Sequence, residues 1–340
     1  MKMVSGLSIG LNSGLTTKGV GQVMNTLVSE VVPTQLRHVV SVKDFTKDSL
    51  VELMELAEHL RELPRDTARQ ILQGRIVATL FYEPSTRTRM SFESAVLRLG
   101  GSVVGAENAL ENSSAKKGET LADVFRVVGS YVDAIVIRHH EKDTVSEAVK
   151  YSPVPVVSAG TGAGEHPTQA LLDVYTIWRE LGRVDNLRLT VVGDLRYGRT
   201  VHSLLRLLTW FDGVEVTLFA PDYLTLPEEL LEELQAAKMK LSYGTDFHTA
   251  LANTDVVYQT RIQTERFTAA DANASASYVI GLEELSCLPA HARILHPLPR
   301  VNEIAPEVDD DPRAAYFRQV ENGLYMRMAL LVDLLGGNVR

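Results

Sequence analysis

Short apolar runs alternate with amphipathic stretches from Thr46 to Leu335, and that alternation leaves few architectures open. Thr46 to Leu63 sets Leu50, Leu53, Met54, Ala57 and Leu60 at helical spacing and is stopped by Pro64. Arg75–Tyr82 reads as a buried strand, broken by Glu83-Pro84-Ser85-Thr86. Met90 to Leu99 reads as a helix stopped by Gly100-Gly101. Further strands are expected at Ser102–Val104, Asp133–Ile137, Leu187–Val192, Val214–Phe219, Val256–Gln259 and Ala292–Leu295. Further helices are expected from a capping box at Thr120 to Val128, and over Pro167–Leu181, Gly198–Leu208 and Gly323–Leu335. Strands interleaved with helices imply an α/β fold built on parallel sheets with helices on both faces. A chain of 340 residues exceeds one typical core, so two such domains are expected. Ligands in these sheets gather at the carboxyl ends of the strands.

Composition removes several function classes. The net charge is −9 and no long Lys/Arg run occurs, which argues against a nucleic-acid partner. No apolar run is long enough for a helix to span a bilayer, which argues against a membrane protein. Cys287 is the single cysteine, so an internal disulfide and a cysteine-built metal site are both excluded. Such usage suits a reducing compartment, and the cytoplasm is the expected location. Met1 to Ser29 contains no Asp or Glu, and Gly, Ser and Thr are frequent there. Residues 1–36 therefore read as an extension, disordered or processed. An organellar transit peptide is the alternative, weakened by the lack of any arginine before Arg37.

Four polar clusters sit where strands should end. Ser85-Thr86-Arg87-Thr88-Arg89 falls between a strand and a helix, where unpaired N–H groups, hydroxyls and guanidinium groups make an anion cradle. The same hydroxyls also suit plain helix caps. Arg138-His139-His140 follows the third strand; adjacent histidines point to opposite sides of an extended segment, so they do not pair on one metal ion. Arg138 is the better functional candidate. His166-Pro167-Thr168-Gln169 offers groups for a carbonyl and an amide. His296-Pro297-Leu298-Pro299-Arg300 has a backbone stiffened by two prolines, with carbonyls free to accept, or is simply a stiff loop. Arg199 and Arg261 suit bidentate grips on carboxylates, with surface salt bridges as the plain alternative. No Walker loop and no dinucleotide glycine fingerprint occurs.

In combination these segments are more specific. Phe81–Arg89 (FYEPSTRTR), His166–Asp173 (HPTQALLD), Gly193–Ser203 (GDLRYGRTVHS), Arg261–Arg266 (RIQTER) and His296–Arg300 (HPLPR) follow one another in the order seen in transcarbamylases. From about Arg37 to Leu335 the chain resembles the aspartate carbamoyltransferase family. The Arg-x-Gln-x-x-Arg segment resembles the aspartate branch. The His-Cys-Leu-Pro segment typical of ornithine enzymes is replaced here by His296-Pro297-Leu298-Pro299.

The resemblance implies a carbamoyl phosphate-binding domain at 37–166, completed by a C-terminal helix at 322–340, and an aspartate-binding domain at 167–321. It implies transfer of a carbamoyl group from carbamoyl phosphate to L-aspartate, in pyrimidine biosynthesis, with no cofactor and no metal. Ser85, Thr86, Arg87 and Thr88 would hold the phosphate. Thr88, Arg138 and His166 would face the carbonyl oxygen. Gln169 and the backbone carbonyls of Pro297 and Leu298 would hold the carbamoyl nitrogen. Arg199, Arg261 and Gln263 would bind the two aspartate carboxylates. Ser113 and Lys117 match residues that reach into a neighbouring subunit's site, which implies a homotrimer with shared sites. A regulatory chain or a dihydroorotase partner stays open. An ornithine carbamoyltransferase and an inactive scaffold homologue are the alternatives.

Overall fold

The computed structural model describes residues 37–109, 117–162, 164–263 and 278–336. Helix α1 (Lys47–Glu62) opens behind Thr46, whose hydroxyl and that of Ser49 form a reciprocal cap. Then come β1 (Ile76–Phe81), α2 (Thr86–Arg98), β2 (Ser102–Glu107), α3 (Leu121–Gly129), β3 (Ala134–His139) and β4 (Val156–Thr161). Helix α4 (Pro167–Leu181) leads to β5 (Arg188–Val192), α5 (Arg199–Leu208), β6 (Glu215–Phe219), α6 (Glu228–Ala236), β7 (Lys240–Tyr243), β8 (Val256–Gln259) and β9 (Arg293–Leu295). The long helix α7 (Tyr316–Leu335) comes last.

The strands form two all-parallel sheets, ordered β2-β1-β3-β4 and β7-β6-β5-β8-β9. Alternation along each strand divides the core. Val77 and Phe81 of β1, Ala134 and Val136 of β3, and Val256 and Tyr258 of β8 face one apolar cluster that runs through both lobes. Ala78, Leu80, Ile135 and Ile137 face the opposite way, against Val124 and Phe125 of α3. Val192, Val257 and Ile294 face a third cluster on the far side of the second sheet. The shared cluster passes through α4, by Leu171, Leu172, Val174, Tyr175 and Ile177. Helix α7 packs on α1, α2 and α4.

The two-sheet α/β reading holds, with corrections to individual elements. β3 runs to His139, so Arg138 lies inside the strand and not after it. The apolar run ends at Ile137, and Arg138 is buried only because it finds acceptors across the sheet. Helix α2 begins at Thr86 and not Met90, because its polar first turn faces a cleft. Two strands stand outside the expected set: β4, hidden by its glycine-rich end, and β7, which is short and mostly exposed. Helix α7 begins at Tyr316 rather than Gly323; its buried Gln319 and Asn322 hide the periodicity.

Candidate active site

In each sheet the strand order reverses once, between β1 and β3 and between β5 and β8. Ligand crevices form at such switch points, outside the carboxyl ends of the strands. Here the two switch points open onto one cleft of about 480 Å³.

The first-lobe end is the start of α2. Ser85 stands at its N-cap but makes no side-chain cap; its hydroxyl bonds Thr88 Oγ1 instead, at 3.0 Å. The first intrahelical bond runs from Arg89 N to Ser85 O, at 3.0 Å. The N–H groups of Thr86, Arg87 and Thr88 therefore point out of the helix end, with its positive partial charge. The hydroxyls are not spent as helix caps, which favours the anion cradle. Arg87 has no carboxylate partner among the described residues. Burial, then the charge of Arg138, lowers its guanidinium pKa. Arg327, from α7, closes the floor and donates to Ser91 Oγ at 3.0 Å; burial brings it down to about 10.

Arg138 and Arg199 meet in the middle. Arg138 donates to Glu83 and, at 3.2 Å, to the carbonyl of Ala159. Arg199, the first residue of α5, donates to the carbonyl of Gly162 and to Glu83 Oε1, the latter at 3.2 Å. One carboxylate thus joins an arginine of each lobe. Burial would raise the Glu83 pKa, but Arg138 and Arg199 outweigh it and hold it below the usual carboxylate range. Beside them, His166 is buried at the N-cap of α4. Burial first, then the charges of Arg199, Arg138 and Arg327, push its pKa well below the ordinary histidine value, so the ring is neutral. Its Nδ1 has no hydrogen-bond partner. Gly160, at φ +112°, lets the chain pass close: a Cβ there would lie 3.1 Å from Arg138 Nη1.

The second-lobe end is built from the loops after β5 and β8. Asp194 couples them, accepting from Tyr197 N at 2.8 Å and Gln263 N at 3.2 Å. Arg199, Arg261 and Gln263 line the cleft there. The loop after β9 completes the wall. His296 Nδ1 accepts from Leu298 N at 2.8 Å, and its Nε2–H donates to Glu303 Oε1 at 2.7 Å. Leu298 takes φ +53° before a cis peptide to Pro299.

Two domain descriptions of one family match the chain. Aspartate/ornithine carbamoyltransferase, carbamoyl-P binding domain, matches residues 37–179; the Asp/Orn binding domain of the same family matches residues 185–334. The chain belongs to the aspartate/ornithine carbamoyltransferase family. The aspartate carbamoyltransferase catalytic subunit of Methanothrix thermoacetophila is 48% identical over 301 residues, which cover 88% of this chain and 98% of that protein. The chloroplastic aspartate carbamoyltransferase of Oryza sativa subsp. japonica is 46% identical over 312 residues, covering 89% and 86%. The crystal structure of aspartate transcarbamoylase from Trypanosoma cruzi in complex with carbamoyl phosphate and aspartate is similar at TM-score 0.82. It is 42% identical, covering 88% of this chain and 97% of that one.

Of the residues singled out from the carbamoyltransferase motifs, Ser85, Thr86, Arg87, Thr88, Arg138, His166, Gln169, Arg199, Arg261, Gln263, Pro297 and Leu298 all line this cleft. Lys117 is exposed and does not line it. Ser113 and Arg266 lie outside the described residues. Glu83, Gln319 and Arg327 also line the cleft and stand outside the expected site residues. In the sequence Glu83 reads only as part of a strand breaker. A signal was present: it is the one carboxylate in a segment otherwise rich in hydroxyls and arginines.

Proposed function

We propose that the chain transfers the carbamoyl group of carbamoyl phosphate to the amino group of L-aspartate, giving N-carbamoyl-L-aspartate and phosphate. The observation that carries this reading is one cleft with an anion cradle at a helix start and two arginines, Arg199 and Arg261, at the other end. The donor's single phosphate suits the first end and a dicarboxylate suits the second. The named relatives are aspartate enzymes at 42% to 48% identity.

In this reading the neutral amine of aspartate attacks the carbonyl carbon. A C–N bond forms, the bond from carbon to the phosphate oxygen breaks, and the leaving phosphate carries off the amine proton. Charge growing on the carbonyl oxygen meets Arg138, the Thr88 hydroxyl and an N–H of neutral His166. Ser85, Thr86, Arg87 and Thr88 receive the phosphate. Gln169 and the carbonyls of Pro297 and Leu298 accept from the carbamoyl NH2. Arg199, Arg261 and Gln263 hold the aspartate. No protein nucleophile is assigned, because the acyl phosphate is already activated. Much of the acceleration then comes from holding two anions in attack geometry.

The division into domains is proposed at Pro167, with residues 37–166 and the C-terminal helix on the carbamoyl phosphate side and 167–321 on the aspartate side. We also propose a homotrimer in which Ser113 and Lys117 complete a neighbour's site. The exposure of Lys117 away from its own cleft supports this. Mixed assemblies of Lys117→Ala and Arg87→Ala chains should regain about a third of the sites, since one site in such a hybrid escapes both changes. No regain on mixing would remove the shared site. The cytoplasm is the proposed compartment, on the strength of the single cysteine.

The deciding assay gives the purified chain carbamoyl phosphate with either L-aspartate or L-ornithine. Turnover with aspartate alone supports the reading. Turnover with ornithine would keep the phosphate end and overturn the roles of Arg199, Arg261 and Gln263. A folded chain without turnover on either would put the inactive scaffold first.

A further inference from the structure

Asp173 lies one helical turn after Gln169 on α4 and is fully buried. It does not line the cleft. Three donors from three elements converge on it. Its Oδ1 accepts from Gln169 Nε2 at 2.8 Å and from Gln319 Nε2, on α7, at 2.6 Å. Its Oδ2 accepts from the phenol of Tyr258, on β8, at 2.7 Å. Gln319 in turn accepts from the backbone N–H of His296 through Oε1, at 2.9 Å.

A glutamine amide has a donor end and an acceptor end of nearly equal size, and a half-turn exchanges them. An acceptor beneath it fixes which end points away. Gln169 lines the cleft, and its Nε2 is committed inward. The atom left for the cleft is Oε1, an acceptor. We propose that Asp173 is a positioning residue that sets substrate choice at the acyl group: by holding Gln169 Nε2, it keeps Oε1 turned to the cleft and favours an acyl phosphate that carries N–H donors. The inference rests on the carbamoyl phosphate reading given above.

The arrangement does not depend on the charge of Asp173. Burial raises its carboxyl to about 7, against the bonds from Tyr258, Gln319 and Gln169 and the charge of Arg327. When protonated, Oδ2–H can donate to the Tyr258 oxygen while Oδ1 still accepts from both amides. The amide orientation therefore survives titration.

The test compares carbamoyl phosphate with acetyl phosphate, which replaces NH2 by a methyl group. The readout is the acetyl phosphate inhibition constant divided by the carbamoyl phosphate KM, with the full chain and L-aspartate. Asp173→Leu keeps the branched shape but removes every acceptor. It should lower the ratio about tenfold, chiefly by raising the carbamoyl phosphate KM. Asp173→Asn should rescue the ratio to within about twofold, its Oδ1 on the amides and its Nδ2 on the phenol. In a Gln169→Ala background, Asp173→Leu should move the ratio less than about twofold. An equal loss for both ligands would mark a purely structural role and overturn the proposal, as would an undiminished effect without Gln169. If the leucine variant does not fold, the asparagine variant decides: a retained ratio supports the proposal and a tenfold fall overturns it. Wild-type turnover with an unmoved ratio sinks this inference alone, whereas absent wild-type turnover sinks the functional reading with it.

Discussion

The two ends of the cleft hold positive charge in opposite ways. At the first-lobe end, Arg87 stands beside open helix amides, with no carboxylate against it among the described residues. Toward the second lobe, Arg138 and Arg199 are already engaged by Glu83. An anion reaching α2 meets groups that are waiting; one reaching Arg199 must compete with an internal carboxylate. The first end should therefore bind its anion from the start. The second should gain its grip only as the contacts of Glu83 are rearranged.

Three substitutions separate these behaviours. Arg87→Ala carries the largest expected effect. Removing a charge that faces the leaving phosphate should lower kcat/KM by about a thousandfold and abolish inhibition by inorganic phosphate. Steady-state kinetics on a folded variant decides this, and near-normal turnover would take Arg87 out of the site. Glu83→Gln comes next. It keeps hydrogen bonding but removes the charge that competes for Arg199, so the aspartate KM should fall about tenfold while phosphate inhibition moves less than about twofold. Equal changes in both constants would show that the ends are not independent. Gly160→Ala should act on the middle. Its methyl would press on Arg138 Nη1 at 3.1 Å and on His166 Cδ2 at 3.4 Å, at a φ of +112° that alanine rarely adopts. A loss of about fivefold in kcat and about 1 kcal/mol in stability is expected. An unchanged kcat would mean that the cleft yields freely at that point.

The same contrast explains what could be read from the sequence. The sheets were legible because parallel strands buried on both faces appear as continuous apolar runs. The α2 cradle was legible because its chemistry lies within a few consecutive residues, Ser85 to Arg89. Arg199 and Arg261 could be nominated as carboxylate grips, but their alignment could not, because it depends on residues far away in sequence. Glu83 gains meaning only from Arg199, 116 positions later. Asp173 and Gln319 are 146 positions apart and meet only once α4 packs on α7. A local clue did exist for Asp173, as an acid four residues after Gln169 and set between the apolar Leu172 and Val174. Polar residues buried at long range break the periodicity by which helices are found, and for that reason α7 reads in the sequence only from Gly323 although it begins at Tyr316.

The smallest effect on turnover, and the one that probes the seam between the ends, is the pH dependence of Asp173→Asn. In the folded chain the Asp173 carboxyl sits at about 7, against an ordinary 3.8. Between those values the folded chain keeps a proton that the unfolded chain has released. Stability must therefore fall as pH rises from about 4 to about 7, and level off above that. Asparagine resembles the protonated acid and removes this slope. The variant should match the wild type near pH 4 and exceed it near pH 8, by at most about 4 kcal/mol, since each pKa unit corresponds to about 1.4 kcal/mol. Urea midpoints at the two pH values measure the difference. A wild type that gains on the variant as pH rises would mean that Asp173 is an ordinary ionised carboxylate. The seam would then be held by charge, as Arg138, Glu83 and Arg199 are, rather than by a shared acceptor.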